Sequence, residues 1–142
     1  MRNTLLQLLT AFFGSMGFSL LFGLRKKHLF AASLGGLLVW GLYLLLDARL
    51  HSLSFSNLLA SAFAVLYAEF LARRLKCPAT LFVLPGIVPL VPGGSLYYAM
   101  SYAVRRDMEL ASQYGTATLQ TALAIAAGIS FVMACRELHT KR

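Results

Sequence analysis

The chain has 142 residues, of which 58% are hydrophobic and 13% charged, with a mean hydropathy of +0.70. Soluble domains carry about 25% charged residues, so a water-surrounded core of this size has no room for the apolar excess. The net charge of +8 would suit nucleic acid, but the basic residues stand in short clusters between oily segments. No aromatic–basic face or recognition motif accompanies them, which excludes nucleic acid as a partner.

In chain order, the first uncharged run is Thr4 to Leu24, 21 residues, against the roughly 20 that a spanning helix needs. It opens as a signal peptide would, with Arg2 and an apolar run. The run is too long for an h-region and no A-x-A site follows, so it reads as a retained span. A second span covers 29–46 and ends at Asp47. The stretch DARLHSLS, Asp47 to Ser54, reads as the longest outer loop. A third span covers 55–72, with Glu69 near its end. The fourth, 79–104, lies in the 28 uncharged residues from Cys77 to Val104. After RRDMEL comes a fifth, 112–135. The expected fold is all-α: one polytopic membrane bundle of about five helices, the fourth broken at Pro-Gly-Gly.

With five spans, Arg25, Lys26, Lys27, Arg73, Arg74, Lys76, Arg136, Lys141 and Arg142 share one side. Only Arg2, Arg49, Arg105 and Arg106 fall on the other. Lys and Arg gather in the cytoplasm, which predicts a plasma-membrane protein with its N-terminus outside and its C-terminus cytoplasmic. A rival arrangement makes 79–104 a re-entrant hairpin, and the count becomes eight against five. Cys77 and Cys135 sit beside basic clusters, so they are expected as reduced cytoplasmic thiols. His28, His51 and His139 stand alone without metal-ligand spacing, and no cofactor is expected.

All four prolines fall between 78 and 92: Pro78, Pro85, Pro89 and Pro92. Their spacing puts them on one helical stripe. An interior proline lacks an N–H and displaces the carbonyl four residues earlier, so Leu81, Pro85 and Val88 should present unpaired acceptors. In the bilayer that is tolerable only beside a wet cavity or polar protein. Pro92-Gly93-Gly94 should end the regular helix, with Ser95 capping a new one over Leu96 to Val104. That buried N-terminus would carry about +0.5 charge. Half-helix ends of this kind hold anionic groups in many secondary transporters. The candidate substrate-binding residues are therefore Pro85, Pro89, Pro92, Gly93, Gly94, Ser95, Tyr97 and Tyr98. The plainer alternative is a kinked span with Tyr97, Tyr98 and Tyr102 in the interfacial aromatic belt.

Glu69 precedes Arg73 by one turn, the favoured order for a helical ion pair. A carboxylate at membrane depth is also a candidate proton site. Asn57 and Ser61, and Thr116, Gln120 and Thr121, read as groups that bond between helices or, alternatively, line a pore. Small residues such as Gly35, Gly36 and Gly128 allow close helix approach. Five short spans enclose little space, so a second membrane chain is expected.

The run Tyr67-Ala68-Glu69, Ala72 to Lys76, Pro78-Ala79-Thr80 and Pro85 to Gly94 with Leu96-Tyr97-Tyr98 resembles the threonine/serine exporter family, in its smaller, C-terminal-type component. The resemblance implies a transporter with twice this number of spans, made as one chain or two. The partner would then be a larger N-terminal-type half. It implies export of threonine and serine, or in one branch succinate, driven by protons or the membrane potential. Residues carried over are Glu69, Arg73, Pro85, Pro89, Pro92, Gly93, Gly94 and Tyr97. The alternative is a non-transporting assembly subunit. Paired acids, a Ser–His arrangement and a metal cluster are all missing, so an enzyme is not expected.

Overall fold

The computed structural model describes residues 2–140. Lys141 and Arg142 of the last basic cluster lie outside the described residues, as do the side chains of Arg2 and His139. The described residues form six α-helices and one 3-10 turn: α1 (Arg2–Leu21), α2 (Lys26–Leu50), α3 (Leu53–Leu75), α4 (Thr80–Ile87), the turn Val88–Leu90, α5 (Gly93–Val104) and α6 (Met108–Thr140). The all-α membrane bundle is as expected. Four helices are long and apolar enough to cross a bilayer, and α4 with α5 makes a fifth, bent by 51°.

Helix ends follow local chemistry. Gly23, at φ +71°, closes α1, and the Leu24 N–H reaches back to the Ser19 carbonyl, a left-handed glycine cap. His51 and Lys76 take the same conformation at the ends of α2 and α3, with N–H groups on the carbonyls of Asp47 and Ala72. The expected outer loop over Asp47 to Ser54 is corrected: α2 runs on to Leu50 and α3 begins at Leu53. No glycine or proline interrupts that stretch, so the helices continue until His51 turns the chain.

Residue pairs set the helix directions. Leu8 lies by Gly41 and Ser15 by Gly36, so α1 and α2 are antiparallel. Tyr67 fills the groove at Gly35 and donates its hydroxyl to the Ala31 carbonyl at 2.8 Å, while Phe63, one turn earlier, lines a hollow with Leu42 and Leu45, so α2 and α3 are antiparallel too. Between α3 and α6, Ser61 meets Gly128 and Glu69 meets Arg136. Later residues of one helix face later residues of the other, so α3 and α6 run parallel. A chain that leaves the end of α3 must therefore return to the opposite face before starting α6. Only α4 and α5 lie between, so together they cross. The re-entrant hairpin does not fit this geometry.

The core is shared unevenly. Phe82, Val83 and Leu90 are buried among α1, α2 and α3. By contrast α5 has no buried residue and packs on α6 alone among its substantial contacts, where Tyr98 and Tyr102 lie 5.4 and 5.7 Å from the Tyr114 ring. Span four thus begins inside the bundle and finishes on its flank.

Candidate functional site

Two places along the apolar spans carry polar chemistry. The first is the break. Pro92 itself caps α5, which starts at Gly93 rather than at Leu96. The expected Ser95 cap is corrected: Ser95 is the third residue of the helix, and its hydroxyl donates to the Pro92 carbonyl at 3.1 Å. Gly93 and Gly94 are the helix's first two residues, and neither takes the left-handed conformation that favours glycine. The Val88 carbonyl is also not left unpaired, because the tightened 3-10 turn brings the Val91 N–H to it at 3.2 Å. The Gly93 N–H bonds the Val91 carbonyl at 2.7 Å. The next N–H groups, Gly94 and Ser95, belong to the first helical turn, where no intrahelical acceptor exists. A Cβ at Gly93 or Gly94 would meet nothing within 4 Å. The break therefore opens outward.

Upstream, Pro85 is enclosed. Its side chain is fully buried, and its carbonyl loses its usual donor because Pro89 has no N–H. That carbonyl would lie 3.4 Å from a Cβ placed on Gly36. Ser15 approaches the same point from α1, fully buried, its hydroxyl without a hydrogen-bond partner. Glycine at 36 is what lets three backbones converge here. Pro85 and the Pro92–Ser95 break do not share one pocket: the former is in the core and the latter on its edge. Tyr97 and Tyr98 are exposed on α5, and Pro89 is half-buried between.

The second place is a cleft of about 420 Å³ at the joint ends of α3 and α6 and the start of α4. Its walls include Glu69, Arg73, Cys77, Pro78, Thr80 and Arg136. The Glu69 side chain is only 12% exposed, with one carboxylate oxygen 3.2 Å from Arg136 Nη1 and the other 3.9 Å from Arg73 Nη2. The expected Glu69–Arg73 pair is thus present but loose, and the closer partner is Arg136, which sequence reasoning had placed only in a basic cluster. The eight residues of α4, or about 12 Å at 1.5 Å each, separate the cleft at Thr80 from the 3-10 turn. The cleft and the break are therefore distinct. Among the described residues no group of His, Cys, Asp and Glu could hold a metal ion.

The family model for the threonine/serine exporter ThrE matches residues 7–135, nearly the whole chain. The chain belongs to the threonine/serine exporter family. No curated protein and no solved structure matches it. This exporter-type membrane component brings its carried-over residues to three stations: Glu69 and Arg73 at the cleft, Pro85 in the core, and Pro92 to Tyr97 on the flank. Arg136, Ser15 and Gly36 complete the first two stations. Only Gly36 had a signal in sequence, as one of several small residues.

Proposed function

We propose that this chain is the smaller half of a two-component secondary transporter that exports a small carboxylate-bearing metabolite. The carrying observation is the outward-open break. Span four enters through the core, bends by 51°, and presents a fresh helix N-terminus on a side that this chain leaves uncovered. Orphan N–H groups and the positive end of the dipole favour an anionic group there, and hydrocarbon alone would leave them unpaired. A larger partner half standing against α5 would close the site, with the carboxylate gripped between Pro92 and Ser95. The clustering of basic residues at the Glu69 end favours a cytoplasmic position for it.

Efflux of labelled threonine and succinate from cells with and without the chain and its partner half tests this. Gly93→Leu fills the approach to the N–H groups and should abolish export while membrane insertion persists; unchanged export rejects the site. An assembly subunit has one supporting feature, the unburied helix α5. Its signature is co-purification with the larger half without any effect on transport.

A further inference from the structure

Glu69, Arg73 and Arg136 line not only the cleft but also a second hollow, of about 470 Å³, where α3 meets α6. The rest of that wall is mostly apolar, with Leu66 from α3 and Phe131 and Val132 from α6. We infer that this groove binds one anionic phospholipid, its phosphate at Arg73 and the start of an acyl chain over Leu66 and Phe131. The inference is independent of what the protein exports.

The order of residues along the groove follows that of a lipid. Leu66 and Arg73 lie on one helix, about 10 Å apart along its axis at 1.5 Å per residue. Phe131 precedes Arg136 on the parallel helix α6, so both helices set apolar surface deeper in the span and a guanidinium nearer its end. Leu66 is 56% exposed and Phe131 68%, so the groove opens away from the bundle, toward the place where a bilayer presents acyl chains. One turn below Arg74, the Phe70 ring lies 5.2 Å from its guanidinium, a cation–π contact that keeps a further positive charge at the same level.

Charge decides the occupant. Glu69 meets Arg136 at 3.2 Å but Arg73 only at 3.9 Å, and the Arg73 side chain is 76% exposed. The looser contact is worth little, so Arg73 can turn to a phosphate at small cost, and its planar fork suits two phosphate oxygens. At this end of α3 and α6, Arg73, Arg74, Lys76 and Arg136 outnumber Glu69 and Glu137, so the local balance stays positive. An apolar helix laid in the groove would bury its charged end without a counter-charge, which is costly. A zwitterionic headgroup brings a cation of its own toward the arginines, whereas an anionic one does not. Basic pockets between spans hold anionic headgroups for this reason.

The test purifies, in mild detergent, the assembly that the full chain forms in its membrane. Phosphatidylglycerol and phosphatidylcholine of identical chain length are added in equal amounts, and retained lipid is counted by native mass spectrometry. Wild type should retain one phosphatidylglycerol per copy of the chain, preferred over phosphatidylcholine by about fivefold, the contribution of one basic side chain at an anionic surface. Arg73→Gln should bring the ratio close to one. Arg105→Gln, beyond the end of α5 at the opposite end of the bundle, should leave it unchanged. Leu66→Trp keeps the surface apolar but fills the groove, and should reduce retention of both lipids. Glycerol 3-phosphate, a headgroup without a tail, should displace nothing even in large excess. Equal retention of the two lipids in wild type overturns the inference, as does a preference that survives Arg73→Gln. Should Arg73→Gln fail to insert, undiminished retention in Leu66→Trp does the same. Displacement by glycerol 3-phosphate would mean a site for free phosphate and overturn the lipid. Phosphatidylglycerol held by the isolated chain but not by the assembly would mean that a partner chain covers the groove, which overturns it too.

Discussion

Glu69 and Arg136 meet at 3.2 Å with the same sequence separation that brings Ser61 to Gly128 two turns earlier. The two contacts together make α3 and α6 a parallel pair. Parallel neighbours in one chain require a crossing between them, and the broken span is the only segment available to make it. An ion pair near one membrane face thus determines how the unusual proline segment is threaded.

The parallel pair has a consequence for thiol access. Cys77 follows α3 and Cys135 is near the end of α6, on opposite sides of the Glu69–Arg136 contact. Both should react with a membrane-impermeant maleimide from the same side of the membrane, the cytoplasmic one. Cys135 is exposed and Cys77 only partly so, so Cys135 should react first. Labelling from opposite sides would contradict the parallel arrangement.

At Gly36 the fit is tight. A Cβ there would collide with Ser15 Oγ and lie 2.6 Å from Ser15 Cβ. Overpacking of this kind costs about 1–3 kcal/mol, so Gly36→Ala should lower the melting temperature of the solubilised protein by several degrees. Ser15→Gly in the same chain removes the obstructing atoms and should recover most of the loss. The same alanine at Gly115, where a Cβ meets nothing within 4 Å, should be neutral. Additive losses at Gly36 and Ser15 would mean that the two residues do not compete for this space.

The ion pairs should contribute unequally to stability. Arg73 is exposed, and Arg73→Ala should cost less than about 0.5 kcal/mol. Glu69→Ala removes the carboxylate that Arg136 meets at 3.2 Å. Fully buried pairs lose about 3–5 kcal/mol on such a deletion, but Arg136 is 53% exposed, which lowers the expectation to about 1–2 kcal/mol. Denaturation followed by a thermal-shift assay distinguishes these. Equal losses for the two variants would deny Arg136 its role as the main partner.

Much of this was legible in the chain itself. Uncharged runs located the spans, and the clustering of prolines located the break. What escaped was decided by neighbours remote in sequence. Arg136 belongs to a basic cluster by position, and nothing local says that a parallel helix carries it to Glu69. Ser95 has the right type for a cap, but the helix begins two residues earlier with Pro92 at the cap position, so the Ser95 hydroxyl donates back to the Pro92 carbonyl. The span ends were drawn too short because charge was taken as a boundary; Asp47 and Arg49 simply continue α2 to Leu50. That α5 would leave the bundle could not be read either, since its sequence is as apolar as that of a buried helix.

Pro89 gives the sharpest test of why the span is broken. It denies the Pro85 carbonyl its donor, inside a core where Ser15 stands near with an unused hydroxyl. Pro89→Ala supplies an N–H at this point and removes the ring that displaces the carbonyl. An interior proline costs a helix about 3 kcal/mol, part of which the 3-10 turn has already recovered. The variant should therefore raise the melting temperature. It should also straighten the 51° bend, drawing the α5 N-terminus away from its outward position and lowering export by an order of magnitude or more. A more stable protein with undiminished export would show that the bend serves packing alone. A less stable one would show that Pro89 fills space in the core that alanine leaves empty, and that the missing hydrogen bond is not what the bundle was built around.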